Sequence, residues 1–386
     1  MDNGGGTQGN DSKTHIRGGK GTMKKQVLAG VMAAAMTAAL AACGSSAGSK
    51  TTTAAAESKA AETTAAAESK EAAAAGSGKT VKIICPYGVG GTADIIGRKY
   101  AEVATKLHPE YNFIVEQQTG GDGFAAATAF SQEDVNTTDL LVYGYGVAYR
   151  HDLGKQYQTE VVDFDRNEIR PIATIDDRTW ILYTTPDQTL ETILDKSKNG
   201  GIKMSGGNPL SDPHLALGSL LAQEGGKVMV VPYDGGAAQK KGLTDGEVDV
   251  FVGTTQAAQE DVEAGNLVPI LAFSDREFKG FKGPKGDLAV PTVAGDTKAK
   301  ELDASKDYTG SILAAGGSLA VRKGASKEWE DAMIQVAKDV WASDEYSEFI
   351  SSILLNKYEV YGEEDVQHYE DACKKAVEAF KQLSGK

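Results

Sequence analysis

Cysteine is scarce in this sequence, with three in 386 residues. Three thiols can build neither a disulfide scaffold nor the four-cysteine cage of a structural zinc site. No two of the histidines His15, His108, His151, His214 and His368 stand at a metal-ligand spacing, so the reading is no metal and no cofactor. Clusters of Lys and Arg are missing too. With a formal net charge of −14, that absence argues against nucleic acid, whose phosphates demand basic patches. No G-x-S-x-G, H-E-x-x-H or P-loop occurs, and no catalytic constellation stands in their place. What is present is the composition of a globular chain, 41% hydrophobic. It is longer than one core usually organises, so two domains are expected.

The front of the chain reads as an address. Residues 1–22 are Gly-rich and polar, and are expected to be a non-native or disordered extension. Met23 then opens a signal peptide over 23–42: Lys24 and Lys25 precede an apolar run from Val27 to Ala42, too short to span a bilayer stably. The run ends in Leu40-Ala-Ala-Cys43-Gly44, which resembles a lipobox and makes Cys43 the lipidated residue. Residues 43–78 form a tether without aromatics, in which Thr53-Ala-Ala-Ala-Glu-Ser-Lys59 recurs at 64–70. Nothing there can bury a core. The expectation is an extracytoplasmic, lipid-anchored protein on the outer face of the cell membrane, periplasmic in a two-membrane cell. Residues 79–386 carry a net charge of −16.

From Lys79 onward β-branched runs alternate with helical patterns. Strands are expected at 79–85, 111–116, 140–143, 180–183, 202–205, 228–231, 248–252 and 267–273, and helices at 326–345 and 364–383. Such alternation indicates a parallel α/β sheet. The turns after these strands are rich in Gly: GVGG at 88–91, TGGDG at 119–123, GYG at 144–146, SGG at 205–207 and YDGG at 233–236. In open parallel sheets ligands sit beyond the carboxyl ends of the strands, where exposed helix N-terminal amides attract anions. Five Gly-rich turns on one kind of edge point to a binding site.

These segments also carry a family likeness. PYGVGGTADIIGRKYAE (86–102), VEQQTGGDGFAAATAF (115–130), the long stretch from Val231 to Ser274, VPTVAG (290–295) and VRKGASKEWEDAM (321–333) follow one another in order. The sequence resembles the substrate-binding proteins of tripartite tricarboxylate transporters, the Bug-type family, over nearly all of 79–386. The resemblance implies a two-lobed, type II periplasmic-binding-protein-like Venus flytrap, with parallel-rich sheets flanked by helices. Lobe 1 would be 79–178 plus 275–386 and lobe 2 would be 179–274. It implies a monomeric, non-enzymatic receptor that closes on a small carboxylate and delivers it to integral-membrane permease subunits. The ligand-facing positions it implies are Gly90, Gly91, Thr92, Asp94, Gly120, Gly121 and Gly123. From the second lobe they are Ser205, Gly206, His214, Tyr233, Gly235, Gly236 and Ala237.

The chain departs from the family pattern in ways that bear on the ligand. The first loop has Gly88-Val89 where the family carries more Pro, and Thr119 stands where Pro is usual. Asp122, Asp212 and Asp234 bring negative charge to turns meant for an anion. A pure polycarboxylate would be repelled, which favours an amine-bearing acid unless these carboxylates cap helices. Arg178 can pair with a ligand carboxylate or with Asp176 and Asp177. Cys85 and Cys373 read as core. One rival reading is a NAD-binding Rossmann oxidoreductase: Gly88-Val-Gly90-Gly-Thr-Ala93 fits G-x-G-x-x-A, with Glu116 as the ribose-binding acid. The export signal, Pro86 in the turn and the second Gly-rich loop weigh against it.

Overall fold

The computed structural model describes residues 78–233 and 235–385. The signal segment, Cys43, the tether and Asp234 lie outside the described residues. The chain begins with β1 (Lys79–Cys85), α1 (Thr92–Leu107), β2 (Tyr111–Gln117), α2 (Phe124–Ser131), β3 (Leu140–Gly144), α3 (Tyr145–Tyr157) and β4 (Ile169–Asp177). A second set follows: β5 (Ile181–Thr184), α4 (Leu190–Lys198), β6 (Ile202–Gly206), α5 (Asp212–Gln223), β7 (Val228–Pro232), α6 (Gly236–Thr244), β8 (Val250–Gly253), α7 (Thr255–Ala264) and β9 (Val268–Ala272). The tail has a small hairpin of β10 (Lys282–Gly283) and β11 (Gly286–Asp287), then β12 (Gly316–Arg322), α8 (Lys327–Ala342), α9 (Asp344–Ser352) and α10 (Glu363–Ser384).

Two five-stranded sheets share one plan. The first has the order β2-β1-β3-β12-β4 and the second β7-β6-β8-β5-β9. In each, three strands run parallel and the fourth is antiparallel to both its neighbours. The chain crosses from one sheet to the other after β4, at 178–180. It returns after β9 to lay β12 between β3 and β4. The strand alternation feeds a core on each face, as a covered parallel sheet requires. In β1, Val81, Ile83 and Cys85 enter one buried cluster and Ile84 enters another. In β5, Leu182 joins the second of these, whereas Ile181 and Tyr183 enter a third cluster under α7. The cluster holding Ile84 and Leu182 is continuous between the sheets, and α5 and α10 supply much of it through Leu215, Leu217, Tyr369 and Phe380.

Helices form where apolar residues recur at three and four. In α1 the buried Ala93, Ile96, Tyr100, Val103 and Ala104 make one such stripe. The strand and helix expectations fall on real elements with edges shifted by a residue or two, except that the helix expected over 326–345 is broken, α8 ending at Ala342 and α9 beginning at Asp344. The structure adds β4, β12, α9 and the small hairpin of β10 and β11, which the sequence pattern did not announce. Cys85 and Cys373 are both buried, free thiols.

Candidate functional site

Nine of the ten α-helices among the described residues fall into two groups by the way they begin; the tenth, α10, starts on Gly362 without a side-chain cap and follows none of the parallel strands. Helices α4, α8 and α9 start on Thr189, Ser326 and Ser343, whose side chains accept a first-turn amide. Helices α1, α2, α3, α5, α6 and α7 start on Gly91, Gly123, Gly144, Ser211, Gly235 and Thr254 with no side-chain cap. These six are the helices that follow β1, β2, β3, β6, β7 and β8, the parallel strands of the two sheets. Among the described residues, their first-turn amides, which no intrahelical carbonyl can satisfy, thus lack an N-cap side chain along two sheet edges. The two edges meet. Thr92 Oγ1 at the start of α1 lies 3.0 Å from Gln256 Oε1 and 3.4 Å from Thr254 Oγ1 at the start of α7. The hydroxyl of Tyr149 on α3 donates to Asp212 on α5.

The residues expected to face a ligand divide by what already occupies them. In the first loop Gly90, at φ 80°, donates its N–H to Asp94 Oδ2 at 2.9 Å, and the N–H of Gly91 bonds the Gly88 carbonyl at 3.2 Å. The Asp94 carboxylate is buried and also receives Gln117 and Arg98. Asp94 therefore closes the loop, and the open amides here are those of α1 from Thr92 onward. The second loop is a run of four positive φ angles: Gly120 137°, Gly121 57°, Asp122 53° and Gly123 98°. Asp122 is held there by Arg150, whose Nη1 reaches both its carbonyl and its Oδ2 at 3.2 Å. Arg150 in turn is fixed by Glu160 and stacks over Phe124, 4.3 Å from the ring centroid.

In the second sheet, Ser205 is buried with no partner for its Oγ among the described residues, and the same holds for Ser211 Oγ at the start of α5. The carbonyl of Gly206 accepts from the Tyr233 N–H. His214 is buried, with Nδ1 against the Pro209 carbonyl, and burial pushes its pKa down. That ring is occupied by the fold. The Tyr233 hydroxyl is bonded to Glu247, and its ring covers Gly242, near the far end of α6. Gly235, Gly236 and Ala237 are exposed at the open start of α6.

The structure adds residues to this set, and they sit at its centre. The Tyr87 hydroxyl lies where a side chain on Gly144 or Gly123 would touch it, 3.1 and 3.5 Å from an ideal Cβ at each. It makes no hydrogen bond among the described residues. Arg178, at the crossover between sheets, binds Asp176 through Nε and leaves Nη1 and Nη2 without a partner among the described residues. Burial works against its charge, but the Asp176 carboxylate outweighs it, so Arg178 stays cationic. The Trp180 indole N–H is buried and has no partner among the described residues. The pKa of Asp212 is pushed up to about 6, chiefly by burial, with the charge of Asp122 adding to it. Sequence held a signal for Arg178, which was weighed there. Tyr87 stood inside the family motif as an ordinary aromatic, and nothing marked Tyr149.

Gly123 is a tight point of the second loop. An ideal Cβ there would lie 2.6 Å from Val147 Cγ2, on a backbone at φ 98° that L residues avoid. Gly123→Ala should cost about 1–3 kcal/mol in urea unfolding, and Gly88→Ala, with nothing within 4 Å of its Cβ, should cost almost nothing. Equal effects would detach the loop from the packing just described.

No family model matches the chain. It is 24% identical to a UPF0065 protein of Bordetella pertussis over 53% of this chain and 63% of the relative, so the match spans less than two thirds of that relative's length. Another UPF0065 protein, from Cupriavidus necator, is 22% identical over 79% of the chain and 88% of its own. Among solved structures, a Rhodopseudomonas palustris protein with adipate superposes with TM-score 0.64 at 17% identity, covering 79% of this chain and 97% of that one. The periplasmic binding protein BugD gives 0.64 at 16% over 79% and 98%, and MatC of Rhodopseudomonas palustris with malate 0.60 at 14% over 79% and 99%.

The fold is that of the Bug-type periplasmic binding proteins. The chain resembles them in both sheets, and the dinucleotide reading falls with this result. A Rossmann sheet with that fingerprint has the order 3-2-1-4-5-6, whereas β1 here lies between β2 and β3 and the next strand is antiparallel. Glu116, the supposed ribose acid, is paired with Lys82 at 3.0 Å on the surface.

Proposed function

We propose that this chain is an extracytoplasmic solute receptor of the Bug type, which takes a small organic carboxylate between its two lobes and hands it to a transporter. The lobes are 79–178 plus 275–386 and 179–274, joined by the two crossings. The protein is a monomer, held to the membrane through Cys43, and its partners are the integral subunits of a tripartite tricarboxylate-type permease. It performs no covalent chemistry.

The observation that carries this reading is the pairing of six uncapped helix N-termini along two facing sheet edges with the unclaimed guanidinium nitrogens of Arg178. Amide groups and a guanidinium together form a receptor for a carboxylate. A ligand that touches both edges favours the closed form, because only closure offers both donor sets. Relatives of the same fold carry adipate and malate.

A thermal-shift panel tests it: di- and tricarboxylates, amino acids, aromatic acids, NAD and NADP against the ligand-stripped chain. A ligand at 100 times its dissociation constant stabilises the native state by about 2.7 kcal/mol, a resolvable shift. A response confined to carboxylates is expected. A response to NAD alone, or to nothing with a carboxylate, overturns the reading.

A further inference from the structure

A carboxylate of the chain's own lies against the start of α3. An ideal Cβ on Gly146, in the first turn of α3, would stand 2.5 Å from Asp212 Oδ1 and 3.4 Å from its Oδ2. Oδ1 also accepts the Tyr149 hydroxyl. Asp212 comes from the opposite sheet, at the first residue of α5, so it reaches across the cleft to this position. It forms no ion pair with any Lys or Arg among the described residues, although Arg178, Arg150, Asp122 and Tyr87 are near enough to act on one another through charge.

The balance of charge around it is negative. Asp122, Glu160, Asp176, Asp177 and Asp212 set five carboxyls against the guanidinium groups of Arg150 and Arg178 and that of Arg276, which acts on Asp177. Arg150 is spent on Glu160 and Asp122, and Asp177 has only the amide of Asn356, at 3.1 Å. A plain dicarboxylate would carry two more negative charges into this field. A ligand with one carboxylate and one ammonium would meet Arg178 on one side and find an unmatched acceptor in Asp212 on the other. Ser205 Oγ and Ser211 Oγ, buried and unpartnered at the carboxyl end of β6 and the start of α5, add polar capacity beside that acceptor.

We propose that Asp212 is the acceptor for a ligand ammonium group, and that the cleft takes an amine-bearing carboxylate of the α-amino-acid kind. The ligand carboxylate lies on Arg178, with Tyr87 and the open helix starts around it, and the ammonium lies on Asp212. The Tyr149 hydroxyl holds the Asp212 carboxylate beside the α3 N-terminus, whose dipole favours the anion. This assignment rests on the solute-receptor reading and narrows it.

Isothermal titration of the ligand-stripped full chain tests it with acids paired by the presence of the amine: aspartate and succinate, glutamate and glutarate, alanine and propionate, phenylalanine and 3-phenylpropionate. At least one amine-bearing member should bind tenfold or more tightly than its partner, about 1.4 kcal/mol. Asp212→Asn, which keeps the shape and removes the charge, should collapse that ratio toward one. Should Asp212→Asn fail to fold, Tyr149→Phe removes only the hydroxyl that holds the carboxylate and should shrink the same ratio. Deaminated acids that bind as tightly as their amine-bearing partners, or a ratio that survives both substitutions, would overturn the assignment and leave the receptor standing. Silence toward every carboxylate, tricarboxylates included, would overturn both.

Discussion

Arg178→Met is expected to lower the unfolding free energy by about 3–5 kcal/mol and to abolish carboxylate binding. The reason lies with its partner. Asp176 is fully buried, and its carboxylate has two donors: Arg178 Nε and the Gly317 N–H at 3.1 Å. Removing the guanidinium strands a charge in the interior with one amide for company. Urea unfolding at pH 7 measures that cost, and titration with the best ligand of the panel measures the loss of affinity. The two effects separate in the double variant Asp176→Asn with Arg178→Met. With no stranded charge it should recover most of the stability, yet it should still not bind, because Nη1 and Nη2 remain absent. A single variant as stable as the parent would show that Asp176 has another counter-charge. A double variant that binds normally would remove Arg178 from the site.

The sequence made the helix starts visible, and it did so for a physical reason. A Gly-rich turn after a β-branched run is a local signal, so GVGG, TGGDG, GYG, SGG and YDGG could each be placed after a strand without knowing the fold. The structure puts Gly91, Gly123, Gly144 and Gly235 at helix starts. What was not legible depends on contacts far apart in the chain. β12 begins with two glycines and is bracketed on both sides by strands from elsewhere, while β4 carries Arg170, Pro171, Asp176 and Asp177 within nine residues. Neither has the alternation of a half-buried strand, and β4 has no Gly turn after it. Their place is fixed by the return of the chain.

The same limit applies to the site. That Asp94 closes the first loop from within could be weighed from its position three residues into a helix. That Asp212 lies over Gly146, 66 residues away, is a consequence of closing two sheets on one another, and that Tyr87 reaches Gly123 and Gly144 is a consequence of pairing β1 with β2 and β3. Side chains exposed in the sequence as acids in the wrong place proved to be of two kinds. Asp94 and Asp122 are spent on the loops that carry them. Asp212 is not.

Asp365→Asn should stabilise the protein by about 4 kcal/mol at pH 8 and leave it nearly unchanged below about pH 4. Asp365 sits in the first turn of α10, where the helix dipole favours an anion, but it is fully buried and burial dominates. Its Oδ1 accepts the Ser318 hydroxyl at 2.9 Å, and its Oδ2 has no partner, like the Tyr145 hydroxyl whose pKa its charge helps raise. The result is a carboxyl pushed up from 3.8 to about 7. A folded-state value above the unfolded one means the native protein holds a proton that the unfolded chain has lost. Stability from this group is therefore greatest in acid, falls as pH rises from about 4 to 7, and is fully lost above 7. The amide cannot ionise, so it escapes that loss, and the gain it confers must follow the same curve. Asp177 and Asp212, each pushed up to about 6, bend the stability profile in the same direction. Urea unfolding at pH 8 and pH 3.5 distinguishes the outcomes. A gain equal at both pH values would be packing rather than titration, and a loss at pH 8 would mean that the ionised carboxylate has a counter-charge in the fold.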